Sequence, residues 1–256
     1  MLAGLAPRDG GAQVEPLFIA GVFILAGLVK GVIGLGLPTV SMGLLAIVMP
    51  PAEAAALLIA PSLVTNVWQM LAGPRLGPIL RRLWPTMLGV CAGTWAGAGL
   101  MTRTDGKLGA ALLGIALVVY AATGLTALRL SIGAAAERWL GPPVGAITGL
   151  VTAVTGVFVI PAVPYLQAIG LEKDELVQAL GLSFTVSTLA LAVNLVLGGT
   201  LNLALAGPSL ATLAMAAVGM WLGQGLRARL SPAAFRIWFF VGLLGLGLYL
   251  VARTVV

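Results

Sequence analysis

Eight apolar blocks, at residues 17–49, 52–72, 83–101, 107–128, 140–168, 175–198, 203–226 and 234–252, take up nearly the whole chain. Each is long enough to cross a hydrocarbon layer as a helix, which takes about 20 residues. Short polar links such as GPRLGPILRR, RTDGK, LEKDE and RARLSP separate most of them. The blocks do not alternate apolar and polar residues, which argues against a β-barrel. Only 9% of the 256 residues are charged and the mean hydropathy is +1.09, whereas soluble domains carry about a quarter charged residues. The expected fold is an all-α integral membrane protein.

Two blocks are too long for one simple span. The first, 17–49, is interrupted by KGVIGLGLPTVS, which places a lysine, three glycines and a proline inside an apolar run. The fifth, 140–168, carries the irregular TGLVTAVTGVFVIPAVP. Splitting both gives about ten helices. The halves also resemble each other. GTWAGAGL at 93–100 matches GMWLGQGL at 219–226, and EAAALLIAPS at 53–62 matches DELVQALGLS at 174–183. Gly27 and Gly31 align with Gly145 and Gly149, which sets Lys30 against Thr148. The expected organisation is a tail at 1–16, a first repeat at 17–130, a linker at 131–139 and a second repeat at 140–256.

Basic residues favour the cytoplasmic side of a membrane. With two crossings in each broken block, Arg75, Arg81, Arg82, Arg129, Arg138, Lys173, Arg227, Arg229 and Arg236 share one side. Arg8, Arg103, Lys107 and Arg253 fall on the other. This count favours inverted repeats with both termini outside. The net charge of +6 reflects residues scattered at segment ends. They form no stripe, so headgroup contact with membrane lipid is expected and nucleic-acid binding is not. Self-association as a homo-oligomer is compatible with the sequence.

Catalysis finds little support. The chain has no histidine, one cysteine (Cys91), no HExxH, no CxxC and no phosphate loop. No metal or other cofactor is expected. A transport site explains more, because secondary transporters bind solutes near the midplane at broken helices. In KGVIGLGLPTVS, Gly34 and Gly36 open the backbone and Pro38 suits the first turn of a resuming helix. Thr39 and Ser41 then stand at its positive end, which attracts anions. Lys30 adds a positive charge within the span. The counterpart in the second half is Thr148, Gly149, Thr152, Thr155, Gly156 and Pro161. Ser62, Thr65, Asn66 and Gln69 share one helical face, and Ser183 and Ser187 begin a similar stripe. The candidate substrate-binding set is therefore Lys30, Gly34, Gly36, Pro38, Thr39, Ser41, Asn66, Gln69, Thr152, Thr155, Gly156, Ser183 and Ser187. Trp95 and Trp221 fit packing or interface anchoring, and Glu53 and Asp174 fit helix starts. No carboxylate lies clearly mid-membrane, so a proton relay is unsupported.

The glycine-rich break followed by proline near the start of each half, GVIGLGLP and GLVTAVTG…IPAVP, and the duplicated four-block pattern resemble the TauE/SafE family of membrane anion permeases. The resemblance covers almost the whole chain. It implies export of small sulfur-containing anions, sulfite or sulfoacetate-like organosulfonates. It also implies that Gly31, Gly34, Gly36 and Pro38, with Gly149, Gly156 and Pro161, shape a central site. Thr152, Val154 and Thr155 depart from the more glycine-rich second motif of that family. The leading expectation is a multi-pass secondary transporter of the bacterial inner membrane that exports a small anionic solute by alternating access. An anion channel and a non-transporting membrane assembly subunit are the alternatives.

Overall fold

The computed structural model describes residues 14–126, 131–201, 206–227 and 229–255. The residues assigned to the N-terminal tail, apart from 14–16, lie outside these, as do Arg8 and Arg129. The described chain is helical: α1 (Val14–Ile33), α2 (Leu37–Leu45), α3 (Pro51–Leu71), α4 (Leu76–Ala96), the single turn α5 (Leu100–Arg103), α6 (Gly106–Leu125), α7 (Ala134–Thr155), α8 (Ala162–Ala168), α9 (Lys173–Leu197), α10 (Ala206–Arg227) and α11 (Pro232–Val255). Helix α7 begins inside the stretch read as a linker. Six helices are long and apolar enough to cross a membrane: α1, α3, α6, α9, α10 and α11. The other two long helices, α4 and α7, carry the Arg82–Glu137 pair and pack on each other.

In lipid, helices associate through close packing more than through hydrophobic burial, and small residues bring their backbones together. That packing reveals the course of the chain. Gly27 lies on Ala216 and Gly31 on Met220, so α1 and α10 run in the same direction. Gly89 lies on Pro142 and Gly93 on Ala146, so α4 and α7 do likewise. Gly114 meets Gly247 while Gly124 meets Phe240, so α6 and α11 are antiparallel. Helices α3 and α9 are also antiparallel: Asn66 reaches Thr188, and Gly73 and Met70 receive the Gln178 amide.

Both long blocks fold back on themselves. Gly36 sits against Phe239, Gly43 against Leu246, and the Ile47 carbonyl accepts from Arg253, so α2 runs alongside α11 in the same direction. Helix α11 reverses α10, and α10 follows α1, so α2 returns toward the side where α1 began. In the second half, α4 runs with α9, since Gln178 meets Arg75 and Asn194 meets Thr94. Helix α7 also runs with α4, so α8 must bring the chain back between α7 and α9. Its exit is fixed beside the start of α7: Ile132 N–H donates to the Ala168 carbonyl at 2.8 Å, and Arg82 donates to the Ile169 carbonyl at 2.6 Å and to both Glu137 oxygens at 2.6 and 2.7 Å.

These directions place the α3–α4, α8–α9 and α10–α11 turns on one face, with the end of α6 and the start of α7. The α5 turn and the C-terminus lie on the other. All six tryptophans are exposed, Trp95 and Trp221 among them, as expected of side chains that anchor at the lipid interface.

The glycine contacts also shift the alignment of the two halves by one helical turn. Gly93 faces the Ala146 carbonyl and Gly219 faces that of Ile24. With the two Trp-centred stretches superposed, Ile24 corresponds to Ala146. Gly27 then corresponds to Gly149, and Lys30 to Thr152 rather than Thr148. The breaks agree: Gly34 N–H donates to Lys30 O at 2.7 Å and Gly156 N–H donates to Thr152 O at 2.8 Å, both glycines being left-handed (φ 77 and 71). Small residues recur every four positions along these helices, so the sequence tolerates either register.

A methyl group on Gly93 or Gly219 would overlap a neighbouring backbone carbonyl, and such overpacking costs about 1–3 kcal/mol. Gly93→Ala and Gly219→Ala should each lower the unfolding midpoint in detergent by several degrees. Gly242→Ala, which meets nothing within 4 Å, should leave it unchanged.

Candidate functional site

Lys30 lies in the last turn of α1 and is 6% exposed. Its ammonium donates to Thr65 Oγ1 at 3.0 Å and to Asn66 Oδ1. Asn66 in turn donates through Nδ2 to Thr188 Oγ1 at 3.4 Å, so one polar chain crosses α1, α3 and α9. No carboxylate joins it: the ion pairs among the described residues are Arg82–Glu137 and Arg75–Glu175. An ammonium has three N–H groups. Two are engaged by neutral oxygens and one has no protein acceptor among the described residues. A buried charge without a counter-ion costs several kcal/mol.

Helix α3 presents its polar face because of how it is built. Ser62, Thr65, Asn66 and Gln69 fall on one side and all four are buried. Pro61 inside the helix has no N–H to give to the carbonyl one turn back. That carbonyl, Leu57 O, lies 3.1 Å from Thr212 Oγ1 of α10, whose one proton it shares with Ser209 O at 2.9 Å. The tie holds α3 against α10 at the turn preceding the site.

The hydroxyls divide by residue type. Thr39 gives its proton to Gly36 O, Thr65 to Pro61 O, Thr152 to Thr148 O, Thr155 to Val151 O and Thr188 to Phe184 O. A threonine so bonded can accept but has no proton left for an anion. The hydroxyls of Ser41, Ser62, Ser183 and Ser187 are fully buried and have no partner among the described residues. Buried polar groups are normally paired, and leaving one unpaired costs about 1–3 kcal/mol. Four such serines, all within the two polar stripes and α2, form a set of donors waiting for an acceptor.

The second turn lies inside the protein, and the first is half-buried at Ile33, Gly34 and Leu35. Gly34 and Gly36 are left-handed (φ 77 and 107), and α2 resumes with Pro38 in its first turn. Gly36 packs against Val29 and Phe239. Val157, Phe158 and Val159 of the second turn are completely buried, and Met42 of α2 meets Gly156, so the two hairpins touch. Non-helical backbone survives at membrane depth where protein surrounds it.

The residues expected at a site thus separate. Lys30 and Asn66 are brought together directly. Ser41, Ser62, Ser183 and Ser187 hold free protons. Gln69 is engaged in tying helices, donating to Val177 O of α9 at 3.0 Å. Thr152 lies within α7, Thr155 ends it and its Oγ1 accepts the Val157 N–H of the turn at 3.2 Å, and Thr39 turns back on its own cap. Thr188 and the partner role of Thr65 follow from the antiparallel crossing of α3 and α9. Arg82 with Glu137, and Arg253 on Ile47, join residues far apart in sequence and carry no sequence signal.

Six helices long and apolar enough to cross a membrane, two hairpin breaks and a buried lysine without a carboxylate partner among the described residues make this a multi-pass membrane protein. The model of the family described as sulfite exporter TauE/SafE matches residues 18–250. The chain belongs to that family. Neither a curated protein nor a solved structure matches the chain.

Thr212→Val should destabilise the protein by about 1 kcal/mol by leaving Leu57 O unpaired. Pro61→Ala supplies the missing N–H, so Thr212→Val should cost much less in that background. Equal costs in both backgrounds, measured by denaturation in detergent, would rule the tie out.

Proposed function

We propose that the protein exports a small organosulfur oxyanion, sulfite or a sulfoacetate-like sulfonate, across the bacterial inner membrane by alternating access. The two halves act as inverted repeats, each contributing a hairpin, α1–α2 or α7–α8, to a shared site. The face with the α3–α4 turn is cytoplasmic, which the basic residues Arg75, Arg81 and Arg82 there support. Lys30 supplies the charge, the free serine hydroxyls supply further donors, and family membership supports the substrate class.

The observation that carries this reading is Lys30 itself. A buried ammonium held by neutral oxygens, with no carboxylate beside it, is electrostatically complete when an anion arrives. The fully buried second turn favours a carrier over an open channel. With the cell interior negative, efflux of an anion is favoured by ~2.3 kcal/mol per charge per 100 mV. Export therefore needs no proton-binding carboxylate.

Proteoliposomes test it. Labelled sulfite or sulfoacetate should show saturable flux, and Lys30→Ala should reduce it at least a hundredfold. Asn66→Asp places a carboxylate on Lys30 and should abolish flux while the protein remains folded, because the counter-ion is then built in. Absence of flux for both anions in the wild type, or wild-type flux in Lys30→Ala, would sink the reading.

A further inference from the structure

We propose that the site is matched to one negative charge, taking monosulfonates and hydrogen sulfite in preference to divalent anions such as sulfate and disulfonates. This rests on the reading of the Lys30 cluster as the anion site, and of the two solutes named there it selects sulfite, as hydrogen sulfite, over sulfoacetate, whose carboxylate and sulfonate make it divalent. Among the described residues Lys30 is the sole buried cation; every other lysine and arginine is exposed at the residue level. Glu137 is buried but already bound by Arg82. The remaining donors are neutral hydroxyls, which solvate an anion without cancelling its charge. A monoanion leaves the buried site neutral, whereas a dianion leaves one uncompensated charge away from water. The donors are also single points, one N–H and separate hydroxyls, with no planar arginine fork of the kind that matches a carboxylate. A sulfonate offers three oxygens to such scattered donors.

The register of the halves provides a direct manipulation. Thr152 holds in α7 the place that Lys30 holds in α1, so Thr152→Lys adds a second cation at the corresponding position. The experiment measures labelled methanesulfonate flux in proteoliposomes at one pH, with ethanesulfonate, ethane-1,2-disulfonate and sulfate as competitors. Their charges are fixed. Ethanesulfonate should compete at least tenfold better than the two divalent anions, and Thr152→Lys should narrow or reverse that ratio. If Thr152→Lys does not fold, the wild-type ratio decides alone. Equal competition by monovalent and divalent anions overturns this inference and leaves anion export standing. No flux of any anion overturns both.

A second inference rests on different contacts. We infer that Arg82 and Arg253 are paired latches, one on each face, that hold the exits of the returning helices. Ile169 follows α8 and Ile47 follows α2, and each carbonyl accepts an arginine N–H at 2.6 Å. A cation at the end of a helix satisfies its open carbonyls. The latches lie on opposite faces, since Arg82 starts α4 and Arg253 ends α11. In a Cys91→Ala, Ser187→Cys background, an impermeant thiol reagent reports access to the interior. Arg82→Gln should raise labelling from the face with the α3–α4 turn, Arg253→Gln from the opposite face, and Arg82→Lys should restore the first. Unchanged labelling in both, or increases from the same face, overturns the latches. If Arg82→Gln does not fold, the exposed Arg253 decides alone.

Discussion

A hydrocarbon interior offers no water to a backbone N–H or C=O, so a membrane chain can leave its helix only where the rest of the protein closes around it. Both breaks obey this. Gly36 is walled by Val29 and Phe239, and Val157–Val159 are completely enclosed. The close pairing of α1 with α10 and of α4 with α7 follows from the same demand. Each hairpin is wrapped by a long helix from the other half, brought near by glycines that leave no room for a Cβ. The core of the molecule is thus organised around two pieces of irregular backbone, whose hairpins meet where Met42 packs on Gly156.

Lys30 is tolerable there for a related reason. Thr65 and Asn66 replace part of the water its ammonium has lost, and Thr188 orients Asn66 from α9. Thr65 can accept because its own proton is committed to Pro61 O. Pro61 leaves Leu57 O open, and the Thr212 hydroxyl that reaches it is shared with Ser209 O. The cation therefore depends on a run of hydrogen bonds that begins at a proline and crosses three helices. Such runs carry more weight in a low-dielectric interior than in water.

Much of this was legible in the sequence. The first break announced itself, because a glycine pair and a proline in an apolar run have few other uses, and the stripe Ser62–Thr65–Asn66–Gln69 showed its face by spacing alone. The second break was blurred. Thr148, Thr152 and Thr155 looked like polar lining, but a threonine in a helix readily turns its Oγ1 to the carbonyl one turn back. These three do so, and the helix runs through them to Gly156. The register of the halves slipped by a turn because residues small enough to align occur on every turn. The Arg82–Glu137 pair and the Arg253–Ile47 contact depend on how distant segments meet, which no local pattern encodes. Nor could spacing separate the serines with free protons from the threonines without them, since that depends on rotamer and neighbour.

The difference between the halves carries the last step. In the alignment set by the glycine contacts Thr152 stands opposite Lys30, so a cation is present on one side alone. A carrier has to be stable empty as well as loaded, because it crosses between its two orientations in both conditions. A carboxylate beside Lys30 would stabilise the empty form but would compete with the substrate for the same charge. A bare ammonium would bind tightly, yet its empty form would carry the full cost of a buried ion. Neutral oxygens from Thr65 and Asn66 lie between these extremes. They lower the cost of the empty state without cancelling the charge, so under the proposed function an anion would still meet a positive site on entering.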